Sequence, residues 1–154
     1  PHEGLTGPIR FDDTGQATRI TSGTGWDQQP RFSPDGKHIT FVSDRNGSKN
    51  VWIANADGSN ARQLTSLGGA NFAPFFHPDG KRIIFASNHG DPKARNFDLF
   101  LVNDDGTGLE RVTRYEGFDG FPMFSPDGKR LVFASNRNGS RPGETNIFVA
   151  DWVE

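Results

Sequence analysis

Short apolar segments, separated by turn residues, set the pattern of this chain. Residues 37–42 alternate polar and apolar positions, and residues 130–134 are rich in side chains that favour strands. Alternation of this kind is typical of half-buried strands, and no window shows the sustained period of an amphipathic helix. Gly, Pro and Asp stand between the segments, which indicates tight turns. The pattern predicts an all-β chain of short strands.

One turn sequence occurs three times. Residues 33–37 and 125–129 read Ser-Pro-Asp-Gly-Lys, and residues 77–81 differ only by His in place of Ser. Pro fixes φ early in a turn, and Gly accepts the positive φ that closes a short hairpin. One Phe precedes each copy and a second follows it at constant spacing. We expect all six to be buried between repeats: Phe32, Phe41, Phe76, Phe85, Phe124 and Phe133.

A second hairpin completes the repeat. It has an Asp-Gly turn at residues 57–58 and 105–106, and it ends in Thr65 and Thr113. The spacing from Thr21, Thr65 or Thr113 to the Pro of the next turn is the same in all three copies. The unit therefore has four antiparallel strands, a to d, with tight a–b and c–d turns. A period of about 44 to 48 residues with four strands is typical of a β-propeller blade.

These residues resemble the TolB-type, WD-repeat-like β-propeller family. The matching motifs are Phe-Ser-Pro-Asp-Gly-Lys at 32–37, Ser-Asp-Arg at 43–45, Asp-Gly at 57–58 and Arg-Gln-Leu-Thr at 62–65. Residues 77 and 87–89 depart from the family pattern, and the resemblance covers residues 9 to 152. It implies a non-enzymatic propeller that binds a protein partner in the periplasm or at the cell surface. The chain starts at Pro1, so any signal peptide would already be removed.

Counting strands gives about three blades in one domain, residues 1–154. We expect blades at 26–66 and 70–114, a third at 118–154 that lacks strand d, and a remnant at 9–21. Closed propellers have roughly four to eight blades. The chain is therefore either a fragment of a longer propeller or half of a six-bladed ring made by a homodimer.

The variable connections point to one end of each blade as the binding end. The d–a and b–c connections meet there, and loops on a rigid scaffold usually carry binding groups. The candidate binding residues at this loop end are Asp27, Asn71, Asp119, Arg45, His89 and Arg137. For any one of these side chains we favour a structural role, in which it holds the turn through backbone hydrogen bonds. Trp26, Phe72 and Phe118 stand nearby, and we expect them to pack between blades.

Composition and motifs narrow the function classes. The chain has no Cys and a net charge of −2 without a basic stripe, so we expect no thiolate metal site and no nucleic-acid partner. No apolar run is long enough for membrane insertion. The His-Glu-x-x-His and Gly-x-Ser-x-Gly motifs are absent, so we expect no catalytic residues and no cofactor. A channel-mouth cation such as calcium, held by Asp27, Asn71 and Asp119, is the alternative to no cofactor.

Three functions remain open. The leading one is a protein-binding scaffold that engages its partner through the loop end. The second is a carbohydrate-binding or lyase-type propeller with its site at the same end. The third is the propeller domain of a larger hydrolase or peptidase.

Overall fold

The computed structural model describes residues 15–91, 93 and 95–154, together with the backbone of residues 9–11. All regular structure in this part of the chain is β-strand. The strands are β1 (Ile9–Phe11), β2 (Ala17–Arg19), β3 (Asp27–Phe32), β4 (His38–Ser43), β5 (Asn50–Asn55), β6 (Arg62–Gln63), β7 (Asn71–Phe76), β8 (Arg82–Ser87), β9 (Asp98–Asn103), β10 (Glu110–Arg111), β11 (Asp119–Phe124), β12 (Arg130–Ser135) and β13 (Asn146–Asp151). The described residues contain no helix that could cross a bilayer.

The strands form the antiparallel units that the repeat predicts. Strands β3-β4-β5-β6 make a four-stranded sheet, blade 1, and β7-β8-β9-β10 make a second, blade 2. Strands β11-β12-β13 make a three-stranded sheet, blade 3, in which no described strand takes position d. Strands β1 and β2 pair as a separate hairpin, and residues 12–14 between them lie outside the described residues. The predicted fold class is confirmed.

The Pro-Asp-Gly turns form as predicted. In each, the Gly N–H donates to the carbonyl three residues earlier, and Gly36, Gly80 and Gly128 share a φ of +71°. Glycine adopts this φ at no steric cost because it has no Cβ. The Asp35 carboxylate accepts hydrogen bonds from the Ser33 hydroxyl and the Lys37 N–H, which fixes the turn from within.

Strand a of every blade has a bulge at the same place. The register shifts between Gln28 and Arg31 in β3, and at the equivalent points in β7 and β11. The residue before the strand's proline takes a φ between +52° and +54° in all three blades, at Gln29, Ala73 and Phe121. A bulge turns a strand and re-aims its side chains. These bulges place the backbone of the three a strands side by side around one cavity.

The core lies between blades. One cluster joins Val51 and Ile53 of blade 1 to Phe76 and Phe85 of blade 2, and a second joins Leu99 and Leu101 to the equivalent residues of blade 3. Each face of a blade therefore contributes half of a core. A smaller cluster joins Ile20, which follows β2, to blade 1 at Ile39, Phe41, Trp52 and Ala54.

Burial of the repeated Phe residues is confirmed at five positions and wrong at one. Phe41, Phe76, Phe85, Phe124 and Phe133 are buried, whereas Phe32 is 66% exposed. Phe76 and Phe124 pack against the blade that precedes them. Before blade 1 the structure describes only the β1–β2 hairpin, so no complete sheet covers Phe32.

Truncation of Phe85 tests this packing. Phe85 is fully buried between blades 1 and 2. We expect Phe85→Ala to lower the free energy of unfolding in urea by about 3–5 kcal/mol, because the cavity cannot close. Leu109→Ala, at an exposed loop position, is the control and should change it by less than about 0.5 kcal/mol. Equal small effects at both positions would contradict the interblade core.

Candidate functional site

Two of the predicted site residues in blade 1 form an ion pair. Arg45 Nη2 lies 2.8 Å from Asp27 Oδ1, and Arg45 Nε donates to the Ser43 hydroxyl at 2.9 Å. The guanidinium lies 4.7 Å from the ring centroid of Trp52, a cation–π distance. Asp27 begins strand β3 and Ser43 ends β4, and the two residues are direct register partners. The pair therefore ties the end of strand b to the start of strand a.

Blade 3 repeats this arrangement. Arg137 Nη2 lies 2.6 Å from Asp119 Oδ2, Arg137 Nε donates to the Ser135 hydroxyl at 2.8 Å, and the guanidinium lies 5.0 Å from the Tyr115 ring centroid. Asp119 is fully buried. Its Oδ1 atom is also buried and has no hydrogen-bond partner among the described residues. A buried carboxylate needs its cation, so Arg137 is held in place by Asp119.

Blade 2 has Asn71 and His89 where the other blades have Asp and Arg. The Asn71 amide donates to the Lys49 carbonyl at 3.2 Å and to Asn50 Oδ1 at 3.1 Å, and its Oδ1 accepts from the Ser87 hydroxyl. The His89 N–H donates to the same Ser87 hydroxyl. A neutral amide thus stands where no arginine is available. Asn in place of Asp avoids the free-energy cost of burying a carboxylate that has no cation beside it.

The six predicted residues are distributed over three blades, two to each. Asp27 and Asp119 already form ion pairs with arginines, and Asn71 already forms hydrogen bonds to the neighbouring blade. The described residues contain no group of three or more His, Asp or Glu side chains that could hold a metal ion. The geometry favours the structural role for the buried three. Their role in binding a partner or calcium stays a prediction.

A second polar network at this end was missed from the sequence. The Asp98 carboxylate accepts hydrogen bonds from Arg111, the Thr113 hydroxyl and the Tyr115 N–H. In blade 1, the Thr65 hydroxyl donates to Asn50 Oδ1 and accepts the Val51 N–H. Two sequence features could have predicted this network, namely the constant Thr that ends strand d and the polar residue that starts strand c. The network fastens strand d to strand c.

The largest cavity among those described lies at the loop end. It has a volume of about 410 Å³ and runs between the d–a connection of blade 1 and the b–c connection of blade 2. Its lining comprises Leu67, Gly68, Gly69, Asn88, His89, Gly90 and Asp91. We call it the His89 groove. His89 is exposed, and its Nδ1 lies 3.1 Å from the Leu67 carbonyl across the groove.

Two smaller cavities, each of about 180 Å³, lie elsewhere. One lies between the bulged a strands and is lined by Gln29, Arg31, Ala73, Pro74, Phe121, Pro122 and Met123. The other is at the tight-turn end, beside His38, Asn60, Arg62, Gly80 and Asp104. The tight-turn end therefore has a recess as well, between residues of blade 1 and residues of blade 2.

Aromatic side chains cluster between blades 2 and 3. The ring centroids of Phe72 and Phe97 are 5.2 Å apart, those of Phe72 and Phe121 are 5.5 Å apart, and Phe118 contacts all three. The expected packing is confirmed for Phe72 and Phe118. It is wrong for Trp26, which is exposed, because no complete blade stands in front of blade 1.

Carboxyl groups at the loop end are held ionised. Hydrogen bonds from the Asn96 and Lys93 N–H groups lower the pKa of Asp91, and those from Asn146 and Ser140 lower the pKa of Glu144. A general acid needs the opposite shift, toward neutral pH. These carboxylates therefore act as turn acceptors.

This chain is a β-propeller assembled from four-stranded blades. The features that define it are the antiparallel sheets, the bulged a strands and the cores shared between neighbouring blades. Residues 11–108 match the model of the Tricorn protease N-terminal beta propeller domain. That match covers more than half of the sequence, and the chain belongs to this family.

The chain is also similar to TolB proteins. It is 44% identical over 43 residues to the Tol-Pal system protein TolB of Bordetella pertussis, which is 28% of this chain and 10% of that protein. It superposes on TolB from Acinetobacter baumannii with a TM-score of 0.76 and 26% identity, over 90% of this chain and 33% of that one. For putative TolB from Agrobacterium tumefaciens the TM-score is 0.74 and the identity 27%, over 90% and 50%. The chain thus spans half or less of these relatives.

Other propellers share the fold at lower identity. An oligogalacturonate lyase in complex with manganese is 20% identical, and the tricorn protease is 16% identical. Likeness at this level shows the fold alone.

Exchange of the Asp119–Arg137 pair for the blade 2 residues tests the structural role. We expect Arg137→His at pH 8 to lower the free energy of unfolding by about 2–3 kcal/mol, because Asp119 is left unpaired. This value lies at the low end for buried pairs, since Arg137 is 30% exposed.

The double variant Asp119→Asn/Arg137→His copies Asn71 and His89, and should recover at least half of the loss in urea unfolding. If the Asp119 carboxylate has a further role besides pairing with Arg137, the double variant will not recover this stability. A single variant as stable as the parent would contradict the structural role.

Proposed function

We propose that this chain is a non-enzymatic β-propeller scaffold that binds a protein partner at its loop end, in the periplasm or at the cell surface. The His89 groove carries the proposal. It is the largest of the described cavities, and it lies where the two connections between strands meet. In the same proposal two copies form a homodimer, a six-bladed ring that presents this end on one side.

The lining of the groove suits a peptide segment. Three of its residues are glycines, which leave the backbone N–H and C=O groups accessible to a partner's main chain. His89 adds an exposed ring whose Nε2 can accept a hydrogen bond from a partner while Nδ1 donates to the Leu67 carbonyl. Leu67 adds an apolar contact, since it packs against the edge of the core between blades 1 and 2. A rigid rim with few side chains binds extended chains at low entropic cost.

The chemistry of this end supports binding rather than catalysis. Its buried carboxylates are paired with arginines, and the half-buried Asp91 and Glu144 have lowered pKa values. Similarity to proteins named as components of the Tol-Pal system supports a protein partner. Calcium binding at the channel mouth remains a weaker proposal, because the three candidate residues are engaged elsewhere.

A second candidate is the propeller domain of a larger peptidase. The family match is the observation that favours it. In that case the same scaffold acts as a domain beside a catalytic unit. Sequencing of the whole reading frame tests this candidate. A catalytic domain encoded in the same frame would favour it over the first candidate.

Site-specific photo-crosslinking tests partner binding. The photoreactive residue benzoylphenylalanine replaces His89 at the loop end, or His38 beside the tight-turn cavity as the control. In periplasmic extract of the source cells, we expect protein adducts of one discrete mass from position 89 and none from position 38. Adducts from position 38 alone would place the partner at the other end, and none from either would contradict the proposal.

A further inference from the structure

Two buried carboxylates stand at the loop end where blades 2 and 3 meet. Asp98 begins strand c of blade 2, Asp119 begins strand a of blade 3, and both residues are buried. The Asp119 N–H donates to the carbonyl of Phe97, the residue before Asp98, at 2.8 Å. The starts of the two strands therefore lie side by side.

The same place between blades 1 and 2 holds two asparagines, Asn50 and Asn71. Asn50 starts strand c opposite the serine that ends strand b, as the first of the two aspartates does in blade 2. The Asn71 N–H donates to the Lys49 carbonyl at 2.9 Å, which repeats the backbone contact between blades 2 and 3. The two boundaries therefore share one backbone arrangement and differ in their side chains.

The side-chain amide of Asn71 joins three oxygen atoms at the first boundary. Its Nδ2 lies 3.1 Å from Asn50 Oδ1, 3.2 Å from the Lys49 carbonyl oxygen and 3.5 Å from the Gly68 carbonyl oxygen. An amide NH₂ group has two hydrogens to donate, and oxygen atoms are its acceptors. This boundary is therefore built from acceptors around one donor group.

Between blades 2 and 3 a carboxylate replaces this donor group. The oxygens that match the three acceptors are Asp98 Oδ1 and the carbonyl oxygens of Phe97 and Glu116. Asp119 Oδ2 points to its arginine, so Asp119 Oδ1 takes the place of the Asn71 NH₂ group. That Oδ1 atom is buried and has no hydrogen-bond partner among the described residues. The repeat thus places a fourth oxygen against three acceptors, without a hydrogen to share.

The neighbouring arginines bind the other oxygen of each carboxylate. Arg137 pairs with Asp119 Oδ2 and Arg111 with Asp98 Oδ2. The arginine side chains are 30% and 38% exposed, whereas the carboxylates are 0% and 4% exposed, so water screens the arginines more than the carboxylates. Asp98 Oδ1 also accepts two hydrogen bonds from residues after strand d, and carboxylates that bind metals keep such bonds. Both Oδ1 atoms therefore have lone pairs for a further cation.

A second buried oxygen stands close to this place. Asn96 Oδ1 is buried and has no hydrogen-bond partner among the described residues. Its counterpart in blade 1 is Ser48, whose hydroxyl accepts a hydrogen bond from the Asn50 amide at 3.0 Å. A side chain at position 96 therefore reaches the side chain at position 98, and Asn96 adds an oxygen on the Asp98 side.

We infer that a calcium ion binds between blades 2 and 3, held by the Oδ1 atoms of Asp98 and Asp119 and the carbonyl oxygens of Phe97 and Glu116. Calcium takes carboxylate and carbonyl oxygens at 2.3–2.6 Å, so neighbouring ligand oxygens lie about 3.4 Å apart. The Asn71 amide spans 3.1 to 3.5 Å at the matching boundary, which is the same spacing. Asn96 and water complete the coordination. Magnesium suits the site less, because it demands near-ideal octahedral geometry and keeps several waters.

The ion replaces the amide as the link between blades. It joins strand c of blade 2 to strand a of blade 3, as the two asparagines join blade 1 to blade 2. The site differs from a channel-mouth site, which would need Asp27 and Asn71 in place of Asp98. Calcium at this boundary therefore stabilises the fold and takes no part in catalysis.

Calorimetric titration of the chain with CaCl₂, after treatment with EDTA and dialysis, tests the site. We expect one Ca²⁺ bound per chain. A Ca²⁺ concentration about 100-fold above the measured Kd should raise Tm by about 5–10 °C, because the ion binds the folded chain alone. MgCl₂ at the same concentration, and NaCl at matched ionic strength, should raise Tm by less than half as much.

Three variants locate the ion. Asp119→Asn copies Asn71 and restores the donor group, so we expect a folded chain that neither binds Ca²⁺ nor changes its Tm when Ca²⁺ is added. Asp98→Asn should lose Ca²⁺ binding as well. Asp27→Asn, the control, removes a carboxylate that is likewise paired with an arginine, and should keep the full Ca²⁺ response.

Four results would overturn the inference. They are a parent chain that does not bind Ca²⁺, an Asp119→Asn chain that still responds to it, an equal rise in Tm with Mg²⁺ or Na⁺, and loss of binding in Asp27→Asn. The last of these would place the ion at the channel mouth.

Discussion

Face-to-face packing between consecutive blades is the constraint on which this structure depends. A single blade is a small sheet with two apolar faces, and neither can stay in water at low cost. The buried Phe on strand b and the aliphatic pair on strand c recur so that each blade completes the core of the next. Stability is therefore shared by neighbours, as in other repeat proteins.

The polar residues at the loop end follow from this packing. Strand a is held to strand b by Asp27–Arg45 and Asp119–Arg137, and blade 2 achieves the same with Asn71 and no ion pair. These contacts hold the strand ends at the loop end without supplying reactive groups. A rigid rim with an accessible backbone is suited to recognising another protein chain, which connects the architecture to the proposed function.

Much of the fold could be predicted from the sequence because its turns are local. The Pro-Asp-Gly turns, the Asp-Gly turns and the constant Thr spacing depend on neighbouring residues alone. The exposure of Phe32 could not be predicted, since it depends on which blade stands in front of it. The burial of Asp119 was also missed, because an Asp before a strand looks the same whether it faces water or an arginine across the blade.

Hydrogen exchange at the Val51 and Leu99 amides tests the central claim most directly, namely that each blade is closed by its strand d and by the packing of the next blade. These two amides donate to threonine hydroxyls of strand d. The account predicts that both exchange far more slowly than a free peptide, and that Phe85→Ala speeds exchange at Val51, which shares its core cluster. Exchange of either amide at the rate of a free peptide in the parent protein would contradict it.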